Sequence, residues 1–129
     1  MAAFMKPYTA QSYALLRIIT GAMFLSHGCQ KLFGWPGVPP ADAPTFILYT
    51  AGPIELVGGA LIAAGLFTRW AAFICSGTMA AAYWMAHGFN HLLPILNHGE
   101  LAVLYCFVFL YIATNGSGMW SVDAARGDA

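Results

Sequence analysis

Charge is the first thing this sequence lacks. Only 8% of its 129 residues are Asp, Glu, Lys or Arg, and five bases balance five acids to a formal net charge of zero. Soluble domains usually carry about 25% charged residues, so a water-covered globule is disfavoured. With no basic excess, nucleic acid is excluded as a partner. Cysteine is scarce as well: Cys29, Cys75 and Cys106 lie far apart with no C-x-x-C. This excludes a disulfide framework or a dithiol pair, and the three read as small apolar fillers. The chain also lacks low-complexity tracts, internal repeats, a dinucleotide fingerprint and any other electron-carrier motif. No A-x-A-like site follows the first apolar run, and Ser26-His27 before Cys29 does not suit a lipoprotein signal. Residues 13–33 therefore read as a retained helix.

Apolar sequence is abundant. Sixty per cent of the residues are hydrophobic, and mean hydropathy is +0.68. Four apolar stretches cover about 12–33, 45–67, 70–88 and 99–116, each near the ~17–25 residues that a spanning helix needs. Proline and glycine mark the breaks, from Trp35-Pro36 to Pro44, at Leu93-Pro94 and at Asn115-Gly116. Short connections force neighbouring helices to run antiparallel. The expected fold is all-α: one transmembrane domain over residues 1–129, an integral membrane four-helix up-down bundle. Gly52, Gly59 and Ala63, with Gly58 beside them, offer a small-residue face for close helix contact. Lys6, Arg69 and Arg126 share the end that holds both termini, with Arg17 near it, and Lys31 stands alone at the other. The positive-inside rule then places both termini in the cytoplasm.

The polar residues collect by depth. His27, Gln30 and Lys31 end the first stretch; His87, Asn90 and His91 end the third; Asn97, His98 and Glu100 begin the fourth. All four histidines thus fall at the non-cytoplasmic end. Glu55 lies deeper and Arg17 deeper still. Ionisable groups within a span are costly, so they face the bundle interior and pair. Arg17 and Glu55 are expected to form an ion pair, directly or through a water. Helical spacing groups Arg17, Gly21, Phe24, Gly28 and Lys31 on one stripe, Tyr83, His87 and His91 on another, and Glu100, Leu104, Phe107 and Tyr111 on a fourth-helix stripe. Simpler readings stand beside a shared pocket. Lys31 can snorkel to headgroups, the histidines can bridge helices, and Glu100 suits a helix first turn. Trp35, Trp84 and Trp120 read as interfacial anchors.

The segments LLRIITGAMFLSHGCQKLFGW, GPIELVGGALIAAGLFTRWAA and NHGELAVLYCFVFLYIATNGSGMWSVD resemble, in order and spacing, those of the DoxX family of membrane proteins. The resemblance runs from Leu15 to Asp123. It implies a small four-helix protein, multi-pass in a bacterial cytoplasmic (inner) membrane. The family pattern falls on Arg17, Gly21, His27, Gly28, Gln30, Lys31, Glu55, Gly58, Gly59, Arg69, His87, Asn97, Glu100 and Asp123. A related protein, DoxD, is named as a subunit of a thiosulfate:quinone oxidoreductase.

Two functional classes follow. In the first, the chain is a subunit of, or accessory to, a quinone-linked redox complex, and at most an oxidoreductase subunit that needs partners for its electrons. His27, Gln30, Lys31, Tyr83 and His87 would hold a quinone head group, and His27, Glu55 and Glu100 would exchange protons. Phe24, Tyr83, Trp84 and Tyr105 would supply an apolar slot. Haem between histidines and zinc are both disfavoured, and no metal site is assigned. In the second class, the chain is a non-catalytic structural subunit of a larger membrane assembly, and its partners are lipid, other membrane subunits or further copies of itself.

Overall fold

The apolar runs fold as helices, and the breaks fall where proline and glycine stand. The computed structural model describes residues 3–129, and these contain helices and no strand. A 3-10 helix, Ala3–Tyr8, leads into α1 (Thr9–Phe33). Then come α2 (Thr45–Ala64), α3 (Thr68–Tyr83) with a π-helical continuation Trp84–Gly88, α4 (Pro94–Asn97), α5 (Glu100–Asn115) and α6 (Val122–Arg126). Left-handed glycines end two of the long helices, Gly34 after α1 and Gly65 after α2, where a Cβ would be strained. Pro94 opens α4, where its missing N–H costs nothing. Pro53 does not break α2, which continues through it.

The helices pack chiefly as two pairs, α1 on α2 and α3 on α5, joined more thinly between α2 and α3. The shared core is Phe24 from α1, Ile62 from α2, Cys75 and Met79 from α3, and Tyr105, Phe109 and Ile112 from α5. Outward faces are also apolar: Leu15, Ile19, Val57, Phe73, Ile74, Leu104 and Phe107 are all exposed. The two charged residues deepest within the helices are turned in, with Arg17 fully buried and Glu55 nearly so. Among the described residues, one helix, Thr45–Ala64, is long and apolar enough to cross a membrane, and Glu100–Asn115 is apolar but shorter. α1 has the length, but Arg17, His27, Gln30 and Lys31 dilute its apolar character.

Glycines set the α1–α2 register. Gly21 and Gly28 stand two turns apart on α1, and Gly52 and Gly59 two turns apart on α2. A methyl built on Gly21 would lie 2.5 Å from the Ala63 nitrogen and 2.8 Å from the Gly59 carbonyl oxygen. One built on Gly59 would meet the Leu25 backbone and the Gly21 carbonyl in return. The two backbones therefore touch, which only glycine allows. The same register sets Gly28 against the backbone of Leu56.

At the end that gathers the termini, charged side chains close helix ends that their own neighbours leave open. Arg17 donates to Ile62 O and Ala63 O, both at 2.7 Å, and to Trp120 O at 2.7 Å and Met119 O at 3.2 Å. It thus ties the C-terminal turn of α2 to the loop before α6. Asp123 accepts from Phe67 N and Thr68 N, each at 3.0 Å, and from the Thr68 hydroxyl at 2.7 Å. It caps the start of α3 from 55 residues away, satisfying N–H groups that a helix start always leaves free. Arg69 donates to Ala113 O, Thr114 O and Asn115 O, the last carbonyls of α5. The Tyr13 hydroxyl donates to Gly116 O. Burial pushes the Asp123 carboxyl up, but the hydrogen bonds from the Thr68 amide and hydroxyl and the Phe67 amide outweigh it and hold it below the usual carboxylate range.

Gly21→Ala should lower stability by about 1–3 kcal/mol, read by thermal unfolding of the purified protein. Gly77→Ala, where a Cβ meets nothing within 4 Å, should be neutral or stabilising by up to ~1 kcal/mol. Because the folded Asp123 value is depressed, its stabilising contribution is complete above the ordinary carboxylate pKa of ~3.9 and is lost as pH falls through the folded value. Asp123→Asn should cost about 1–3 kcal/mol at neutral pH and remove that part of the acid-side fall in melting temperature.

Candidate functional site

At the opposite end, the bundle holds a cavity of about 220 Å³ to which all four long helices contribute. α1 supplies Phe24, His27 and Lys31; α2 supplies Glu55; α3 and its π-helical continuation supply Met79 and His87; α5 supplies Tyr105. The Lys31 ammonium donates to Glu55 Oε2 at 2.7 Å. The Glu55 side chain is 4% exposed and that of Lys31 20%. Lys31 thus lays its stem along the wall and keeps some access to the outside, while the carboxylate is committed to the interior.

The α1–α2 register explains this partner choice. It corrects the expected Arg17–Glu55 pair. Gly28 packs at Leu56 and Gly21 at Ala63, so Glu55 lies level with Gly28, about 16 Å along α1 from Arg17 at ~1.5 Å rise per residue. Lys31 is one turn from that level. Arg17 instead finds the carbonyls that end α2.

Tyr105 is buried, yet its hydroxyl has no hydrogen-bond partner. Its ring is fixed on three sides: stacked on Phe109 at 5.5 Å between centroids, tilted on Phe24 at 5.2 Å and edge-on to His27 at 6.0 Å. A buried hydroxyl without a partner costs ~1–3 kcal/mol, and such groups mark places where a ligand or water completes the bonding. His87 Nδ1 lies 2.8 Å from the Asn97 carbonyl oxygen. A carbonyl only accepts, so the proton sits on Nδ1 and, in the neutral ring, leaves Nε2 to accept.

The other expected site residues lie elsewhere. Tyr83 is committed to the loop before α5: its hydroxyl donates to Leu92 O at 3.0 Å and accepts from Asn97 Nδ2 at 2.9 Å. Asn97 also donates to His91 O and accepts from Gly99 N, which locks this loop. Gln30 lines a separate shallow depression with Met23, Ser26 and Pro36, and His27 borders both spaces. Glu100 is exposed at the first turn of α5, beside Pro94, Val103, Leu104 and Phe107. Its stripe faces outward, a correction to the expected inward set. The inward stripe of α5 is Tyr105, Phe109 and Ile112. The cavity therefore brings together His27, Lys31, Glu55 and His87 of the expected residues, and leaves out Gln30, Tyr83 and Glu100. The unpartnered Tyr105 hydroxyl is the feature that sequence reasoning missed.

The sequence model of the DoxX family matches residues 12–88. This chain belongs to the DoxX family. An uncharacterised protein of Haemophilus influenzae is 41% identical over 127 residues, covering 92% of this chain and 93% of its own. The Bacillus subtilis protein named "Putative oxidoreductase CatD" is 30% identical over 113 residues, covering 84% and 82%. No solved structure matches. The family match spans α1 to the end of the π-helical turn, and so takes in His27, Lys31, Glu55 and His87.

The two exposures in the ion pair make its mutants unequal. Lys31→Met strands a buried carboxylate and should cost about 3–5 kcal/mol. Glu55→Gln leaves a lysine that can reach outward, and should cost less. The double variant should recover most of the Lys31→Met loss. Chemical or thermal unfolding of the three variants checks the order.

Proposed function

We propose that this chain is a multi-pass protein of the bacterial cytoplasmic membrane, and that its cavity holds a quinone head group for a redox complex to which the chain is a subunit or accessory. The membrane reading is supported by the exposed apolar faces, which no soluble protein of this size tolerates so widely, and by the inward turn of Arg17 and Glu55. Lys6, Arg69 and Arg126 at the terminal end, against Lys31 at the other, favour cytoplasmic termini. The cavity then opens toward the outer side. Relatives in Haemophilus influenzae and Bacillus subtilis favour a bacterial source, and the second carries an oxidoreductase name.

The observation that carries the cofactor reading is the orphaned Tyr105 hydroxyl in a cavity otherwise walled by apolar side chains, one ion pair and the rings of His27 and His87. A quinone fits this set: a flat ring of modest size whose polar atoms are carbonyls that accept hydrogen bonds. When bound, it supplies two-electron, two-proton carrier chemistry. Tyr105 would donate to one carbonyl, and Phe24 would meet the apolar part of the ring. Lys31–Glu55 supplies a charge pair that can hold or release a proton at the Glu55 carboxyl, and His27 is a second proton-bearing group on the same wall. The electrons come from a partner, because the chain carries no electron-carrier motif.

The decisive variant is Tyr105→Phe. The lost hydroxyl has no partner in the protein itself, so melting temperature should hold or rise. Quinone affinity should fall about tenfold, the ~1.4 kcal/mol equivalent of one hydrogen bond. Titration of a soluble benzoquinone, followed by tryptophan fluorescence, measures it. Equal affinity in Tyr105→Phe and the parent protein, or no binding by either, would leave the structural-subunit reading in its place.

A further inference from the structure

The polar cavity adjoins a second space. A groove of about 250 Å³ lies along the seam between the first turns of α2 and the last turns of α3. It shares Ile47, Ala51, Ala82 and Ala86 with the cavity. The residues that wall both spaces are one isoleucine and three alanines, none of them charged or aromatic. This seam joins the two helix pairs, and it is packed more thinly than either pair is within itself.

The groove has no polar demand of its own. The only side-chain polar atoms on its walls are the hydroxyls of Thr50 and Thr78. Both are spent on their own helices, Thr50 on Phe46 O at 2.7 Å and Thr78 on Ile74 O at 2.9 Å. The neighbouring cavity shows the reverse, with a buried hydroxyl that lacks a partner. From the bundle centre outward, the order is hydrogen-bond donor, alanine sill, hydrocarbon-lined groove. A tailless polar solute would leave the groove unused, and a plain acyl chain would leave Tyr105 unanswered.

We propose that the α2–α3 seam is the lateral entrance to the cavity and the seat of the ligand's tail. The ligand is then an amphiphile with a small hydrogen-bond-accepting head and one prenyl or alkyl chain, loaded from the bilayer rather than from water. This rests on reading the cavity as a quinone-head site. The groove lies at the depth where that head would sit, so the chain continues sideways toward lipid along the Thr50, Thr78, Ala81 and Met85 walls.

The test compares a dimethoxy-methyl-benzoquinone that has no side chain with its decyl-chain counterpart, on the full-length protein in nanodiscs. Ala81→Trp fills the groove from an exposed position that does not line the cavity, and Thr50→Trp does so from the facing wall. In the parent protein the decyl compound should bind at least tenfold more tightly than the tailless one. In either variant that gain should disappear, while tailless binding stays within twofold and shows that the variant is folded. A decyl gain that survives both tryptophans reflects partition into lipid alone and overturns the portal, with the head site intact. Equal affinity of the two compounds for the parent protein overturns it in the same way. If neither compound binds the parent protein, the head-site reading falls and the portal with it.

Discussion

The backbone contact of Gly21 with Gly59 governs both ends of this molecule. It fixes how α1 slides along α2, because the backbones touch where these glycines meet. That register sets Glu55 level with Gly28, one turn from Lys31, and sets Arg17 at the carbonyls that finish α2. Lys31 and Arg17 thereby each find a partner suited to their depth: a carboxylate for the lysine, and a helix C-terminus, with its partial negative charge, for the arginine.

The two ends are built on different principles. At the terminal end almost every polar group answers a helix terminus. Arg17 serves α2, Asp123 serves α3 and Arg69 serves α5, so three connections are tied into one hydrogen-bonded cap. At the other end polar groups from all four long helices surround a space, and one of them, the Tyr105 hydroxyl, is left without a partner. Hydrogen bonds that reach across 44 to 103 residues stiffen the first end. At the second end, the unpartnered Tyr105 hydroxyl in the cavity wall supports the proposed binding role.

Helix existence was legible because proline and glycine punctuate long apolar runs, and the break positions fall within a few residues of the observed ends. The direction each helix faces was legible only where polar residues mark it. α1 carries Arg17, His27 and Lys31, and its inward stripe of Arg17, Gly21, Phe24 and Gly28 is read correctly. α5 is apolar on all sides, so Glu100 was the one available marker, and it points to the wrong face. Tyr105, Phe109 and Ile112 look no different in sequence from Leu104, Phe107 and Tyr111. Tyr83 was drawn into the expected site by its spacing with His87, but the Asn97 amide beside it in space takes its hydroxyl. The roles of Arg69 and Asp123 depend on contacts across 44 and 55 residues, which no local pattern encodes. The Arg17–Glu55 pair failed for a related reason: helix depth was judged from each span alone, whereas the glycine contact between spans sets it.

The account stands on an inward-facing polar cavity completed by a ligand at Tyr105. An experimental structure of the protein extracted in native lipid, with its partners, tests this most directly. The account predicts ring-shaped density within hydrogen-bond distance of the Tyr105 hydroxyl, flanked by Phe24 and His27, beside an intact Lys31–Glu55 pair. A Tyr105 hydroxyl bonded to another protein group, with the four helices closed over the space, would contradict it.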